Sequence, residues 1–189
     1  MRWIARISNS ILHVEKLILT ALAGALALLI LLNIATRAAG AALFWADELA
    51  VYAMIWMTLI GASAMLRMRT GIAVTLATDL LPRRVRRIAV VSVDTVLLFF
   101  AIVLLVLTWQ WYDPVEVVRS GFDLELFAQN TLKFIYTEPT STLEVRKFWL
   151  WLAVPIMAVD MTIHAVANLA EGAAESAPGE QNVRPLSEL

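Results

Sequence analysis

Polar positions are so sparse along this chain that they punctuate the apolar ones rather than alternate with them. Four long apolar runs result, over residues 14–36, 45–66, 88–109 and 148–169. Each is close to the about 20 residues that a helix rising about 1.5 Å per residue needs to cross a hydrocarbon core about 30 Å thick. The pattern predicts four membrane-spanning helices. Ahead of the first run, Ile4, Ile7, Ile11 and Val14 recur at helical spacing, while Arg2, Arg6, Asn9 and His13 fall on the opposing face. That spacing predicts a short amphipathic helix over residues 1–13, lying on the membrane surface. The expected architecture is an all-α integral membrane protein. An interfacial helix leads into a four-helix membrane domain over 14–170, followed by a tail over 171–189 whose Glu, Ala, Pro and Ser content predicts disorder. The first run is as long as a full span and its small residues lie inside it, which predicts a retained span rather than a cleaved signal peptide.

The charges between the runs orient the spans. The connection after the second run carries Arg67, Arg69, Arg83, Arg84, Arg86 and Arg87, and the N-terminal stretch carries Arg2, Arg6 and Lys16. On the other side Arg37, Arg119, Lys133, Arg146 and Lys147 are mixed with six acids, from Asp113 to Glu144. The positive-inside rule therefore predicts cytoplasmic N- and C-termini. Aromatic residues agree: Trp45, Trp109, Trp111, Tyr112, Trp149 and Trp151 fall at the ends assigned to the outer face, where rings with a polar edge anchor in the headgroup layer. The outer loop over 113–145 is long for a connector, and Asp113-Pro114 predicts a helix start within it. Two readings of its middle are open: Leu124 and Leu126 alternate as in a strand, whereas Phe127, Leu132 and Phe134 suit an interfacial helix.

Composition narrows the function. The chain is 60% hydrophobic and 16% charged, so the bilayer is its solvent. Without cysteine it has no disulfide or thiolate chemistry, and a formal net charge of −1 gives no reason to expect nucleic acid. His13 and His164 lie at depths too different to hold one haem. HExxH, GxSxG and P-loop patterns are absent from the sequence, so neither a catalytic residue nor a cofactor or metal is expected. Pro155 is the one proline within a run, and no paired repeat is visible, which argues against a self-sufficient carrier.

Ionisable groups inside the runs are the candidate sites. Asp94, Asp160 and His164 fall at similar depth in the cytoplasmic half, and Asp160 and His164, four residues apart, share a helix face. One reading is a proton or ion site; the other is a polar clasp between spans three and four, joined by Arg67. Asp47 and Glu48 head the second span. They cap its positive end, or they pair with Arg37 or with a partner protein. Small residues, including Gly24 in the first span and Gly61 in the second, suit close helix packing and leave perimeter for a second protein.

One resemblance makes these residues specific. Asn33-Ile34-Ala35-Thr36-Arg37, then Trp45-Ala46-Asp47-Glu48-Leu49-Ala50-Val51-Tyr52, then Trp56 and Gly61, resembles the small membrane (Q-type) subunit of TRAP (tripartite ATP-independent periplasmic) transporters. The likeness resumes from Thr142-Leu143-Glu144-Val145 through Trp149 to Pro155. Two features depart from the family pattern: Gly71 stands where a histidine is expected, and the outer loop is longer than the common form. The resemblance implies a bacterial inner-membrane location and a non-catalytic scaffold for a large multi-span permease subunit. That partner performs sodium-coupled, elevator-type uptake of an organic acid delivered by a periplasmic binding protein. It further implies that Arg37, Trp45, Asp47, Glu48, Tyr52, Trp56 and Gly61 position the second span against that partner, amid membrane lipid. Two rivals remain open: a small autonomous dimeric proton-coupled transporter using Asp94 or Asp160, and an assembly subunit of another membrane complex.

Overall fold

A computed structural model describes residues 2–70 and 82–174 of the chain. The Gly71 departure and residues 175–189 of the expected tail lie outside the described residues, whereas residues 171–174, assigned to that tail, continue the last helix. Seven helices account for most of what is described: α1 (Arg2–Ala38), α2 (Phe44–Met68), α3 (Arg83–Tyr112), α4 (Pro114–Arg119), α5 (Leu124–Thr131), α6 (Lys147–Trp151) and α7 (Ala153–Ala174). Four helical stretches are long and apolar enough to cross a membrane, as the apolar runs predict.

The expected interfacial helix over residues 1–13 is not a separate element. It is the first third of α1, whose 37 residues run without a break for about 55 Å, well beyond a bilayer core. The continuity has a local cause: no proline or glycine interrupts residues 2–23. Ile4, Ile7 and Ile11 of the apolar face are half-buried, and Arg6, Asn9 and His13 of the opposing face are exposed. Ser8 and Glu15, two turns apart, are buried, whereas Val14 is exposed. Polar contacts to α7, described below, turn the helix this way.

α1 ends in a Schellman arrangement. Gly40 takes a left-handed φ of +76°, its N–H reaches the Arg37 carbonyl at 3.0 Å, and the Ala41 N–H reaches the Thr36 carbonyl at 2.9 Å. The chain then doubles back as α2, which packs along α1 with Ala46, Ala53, Ile60 and Arg67 recurring every seven residues on its inner stripe. α7 is the hub of the bundle. It packs most extensively on α3 and also touches α2 and α1. Its Met157, Met161 and Ala165 meet Leu66 of α2 and Ala101 of α3 in the apolar core. Of the most apolar 18-residue stretch of each helix, 39% is buried in α7 and 0% in α1.

The outer loop resolves its own ambiguity. Asp123 accepts hydrogen bonds from the Glu125 and Leu126 N–H groups at 3.0 Å each, which starts helix α5 where strand-like alternation was the other reading. Among the described residues the sole strand-like feature is an isolated antiparallel bridge between Pro139 and Arg146. α6 stops at Trp151, four residues before Pro155, where the proline ring would crowd the Trp151 carbonyl in a continuous helix.

Candidate functional site

Polar groups cluster at the two ends of the bundle. At the end carrying Arg67 and Arg69, the basic end, α2 delivers both arginines in and just past its final turn, where a cation complements the negative pole of the helix. Arg67, with a side chain only 8% exposed, is fully engaged. Its guanidinium donates to Glu171 at 2.8 Å, to Asn168 at 2.6 Å and to Asn9 at 2.8 Å, tying α2 to both α7 and α1. Arg69 caps α2 in the left-handed region at φ +53°, a conformation costing a non-glycine residue about 1 kcal/mol or more. The side chain gives the reason: it donates to Asp94 of α3 at 2.8 Å and to the Asn168 carbonyl at 2.7 Å. Gly172 lies beside this pair, where a Cβ would meet Asp94 Oδ2 at 3.6 Å, an ordinary contact distance.

One turn deeper on α7, His164 is fully buried between two groups of α1. Its Nδ1 lies 2.7 Å from the Ser8 hydroxyl and its Nε2 lies 3.1 Å from Glu15 Oε2. A serine, an imidazole and a carboxylate in a row have the form of a hydrolytic relay. Ser8 at 0% exposure has no route to a substrate, so the row acts as a helix fastener.

The expected clasp of Asp94, Asp160, His164 and Arg67 is therefore corrected. These residues do not form one cluster: Asp94 pairs with Arg69, Arg67 with Glu171, and His164 with Ser8 and Glu15. Asp160 has no hydrogen-bond partner among the described residues and is half-buried, while His164 one turn on is buried. Depth is legible in sequence but the rotation of each helix is not, so groups at one depth were assigned to one another. Ser8, Glu15, Asn9, Asn168, Arg69 and Glu171 went unnoticed as partners. The signal available was a glutamate at the head of an apolar run seven residues after a serine.

At the opposite end, the loop end, Asp47 accepts from Arg37 and from Asn33, bracing the turn between α1 and α2. Glu48 reaches across to the loop. Its carboxylate accepts the N–H groups of Ser141 at 2.9 Å, Thr142 at 2.7 Å and Leu143 at 3.0 Å, and the Thr142 hydroxyl at 2.5 Å. Neither acid caps α2, whose first turn has no side-chain cap. Of the open readings, pairing with Arg37 within the chain describes Asp47, and Glu48 takes a further arrangement, organising residues 141–143 of its own chain. Trp56 donates its indole N–H to the Leu150 carbonyl at 2.7 Å, near the α6–α7 break. Tyr52 is half-buried in the field of Glu48, Lys147 and Glu138. Gly61 faces Leu19 with room to spare, because a Cβ would lie 3.9 Å from that side chain.

Aromatic rings close the loop end. Trp45, Trp109, Trp111 and Trp149 are exposed, and Trp151 stacks edge-on to Trp111 at 5.9 Å. Tyr112 departs from the expected ring of surface anchors. It is buried under Tyr136 and Phe148 because the loop folds back over it. The Tyr136 hydroxyl donates to the Tyr112 carbonyl at 2.8 Å. Burial pushes the Tyr136 phenol above its ordinary pKa, with Asp113 adding to the shift, so the group remains a donor.

Apart from Asp160, which makes no hydrogen bond and lies in the field of Glu15 and His164, the charged side chains just described are held by another part of the same chain, and the described residues contain no cluster of His, Cys, Asp and Glu suited to a metal. The extensive uncovered surface is apolar: long faces of α1 and α3, including Leu28, Leu31, Ile34, Val96 and Phe99. The sequence is similar to the C4-dicarboxylate TRAP transporter small permease protein DctQ of Vibrio cholerae serotype O1, at 26% identity over 124 residues, covering 65% of this chain and 53% of that one. The alignment thus spans about half the length of that relative. Residues 26–175 match the family profile of the DctQ component of tripartite ATP-independent periplasmic transporters, and the chain belongs to that family.

Proposed function

We propose that this chain is the small, non-catalytic permease subunit of a TRAP transporter in a bacterial inner membrane, with both termini cytoplasmic. Its role is to enlarge the stationary part of a large multi-span subunit. That partner moves an organic acid inward with sodium by an elevator motion, after a periplasmic binding protein delivers the acid. The observation carrying this reading is the pairing pattern. With the exception of Asp160, the buried charges fasten α1, α2, α3 and α7 to one another, while apolar faces on α1 and α3 stay uncovered. A scaffold needs rigid internal joints and a free apolar flank; a carrier needs a polar group free to bind and release its cargo. Arg37, Trp45, Asp47, Glu48, Tyr52, Trp56 and Gly61 contribute by fixing the shape and tilt of α2 at the loop end, and the positive-inside rule supports the orientation.

Reconstitution separates this from the autonomous-transporter reading. The purified chain alone in liposomes, under a sodium or proton gradient, is expected to take up none of a panel of organic acids, with C4-dicarboxylates tried first. Uptake is expected once the large subunit and binding protein are added. Transport by the chain alone would overturn the scaffold reading and make Asp94 and Asp160 the residues to substitute.

A further inference from the structure

The outer loop carries large apolar side chains that its own fold does not cover. Leu132 is 75% exposed, Phe122 71%, Val118 60% and Phe134 54%. Two of them occupy positions where a bulky residue is costly. Phe122 has φ +64°, and Leu132, at φ +57°, caps α5 where glycine or asparagine is usual. A leucine kept in a strained cap while pointing away from its own protein indicates that something else receives it.

The height of the loop says what that is. α4 begins at Pro114, directly after α3 ends at Tyr112, so the segment leaves the membrane without a spacer. It is then clamped down at two points. Lys133 Nζ donates to the Gln110 carbonyl at 2.6 Å and to Asp113 at 2.7 Å, and Tyr136 donates to the Tyr112 carbonyl. Both donors therefore sit within side-chain reach of the last turn of α3. Leu132 and Phe134 flank Lys133, and exposed Trp109 and Trp111 mark the same level. The inward fold of Lys133 also draws its charge away from the two apolar neighbours. Beside them, α5 and residues 132–137 enclose an open groove of about 490 Å³, lined by Ala128, Leu132 and Phe134 with Glu125, Gln129 and Thr137.

We propose that the loop is a membrane-surface module: Phe122, Leu132 and Phe134 insert into the headgroup and upper acyl region of the adjoining lipid leaflet, clamped there by Lys133 and Tyr136. A segment of this kind binds by seating its apolar side chains a few ångströms into the interface while its polar groups stay hydrated. The contact is continuous with the lipid surface of α3 and does not depend on the identity of the large subunit.

The test uses the absence of native cysteine. Phe122→Cys, Leu132→Cys and Phe134→Cys, with Asn130→Cys as an exposed polar control, are each produced in the full chain with and without the large subunit. Labelling by a water-soluble maleimide in intact membranes is read as a mass shift on this chain. Lipid insertion predicts labelling several-fold slower than the control at all three sites, whether or not the large subunit is present. Control-like labelling at the three sites would overturn the proposal, as would protection confined to membranes containing the large subunit, which would assign the patch to protein. A spin label at the same sites, with the chain in nanodiscs of phosphatidylethanolamine and phosphatidylglycerol, supplies the second readout. Oxygen is expected to relax it several-fold more than a water-soluble nickel complex, and the reverse order would contradict insertion.

Discussion

At the basic end Arg67 is 8% exposed and holds partners on two other helices; at the loop end Arg37 is 57% exposed and holds Asp47 across a single turn. Both are arginine–carboxylate pairs, yet their surroundings differ. The Arg67 guanidinium is shielded although Glu171 is partly exposed, so solvent competes less there and losing one member strands the buried ones. In water the Arg37 pair exchanges with solvent at small cost. Glu48 stands between these cases. Its carboxylate is accessible, but three backbone N–H groups and a hydroxyl converge on it, so it shapes a segment rather than the bundle. Assembly of the helices is therefore controlled from the basic end, and the form of the connector from the loop end.

Replacing Arg67 with leucine breaks this comparison most severely. Asn9, Asn168 and Glu171 lose their common donor, and a loss of about 2 kcal/mol is expected, below the fully buried range because Glu171 is partly exposed. Thermal unfolding in detergent should show it, with Arg67→Lys recovering part. Glu48→Ala comes next and is local. Amide exchange should accelerate at Ser141, Thr142 and Leu143 while the melting transition of the bundle moves little, and Glu48→Gln should give an intermediate rate. Arg37→Ala should cost less than about 1 kcal/mol, with the difference from the parent shrinking as salt is raised. Gly61→Ala should leave the melting temperature of the isolated chain unchanged, because the added methyl meets Leu19 at ordinary contact distance. A lowered melting temperature there would mean that α1 and α2 lie closer than described.

The spans were legible because length and hydropathy depend on one coordinate, depth, which sequence encodes directly. The extra length of α1 was not, since surface-lying and in-line helices share the same 3.6-residue period over residues 4–14. α5 is eight residues long, too short for periodicity to separate it from a strand, and the capping role of Asp123 was the decisive local feature. Among the candidate residues, Asp47 beside Arg37 could be anticipated from their nearness across a turn. Glu48 with residues 141–143, Arg69 with Asp94, and His164 with Ser8 and Glu15 depend on helix rotation and on where the loop lands. Tyr112 shows the same limit: it ends α3 as the apolar run predicts, but the loop folded over it buries the ring.

Isolation of the tagged chain from its native membrane in mild detergent, with mass spectrometry of what stays bound in stoichiometric amount, tests the scaffold claim most directly. A large multi-span TRAP permease subunit at one copy per chain is the predicted result. Recovery of the chain alone, or only with further copies of itself, would contradict the account.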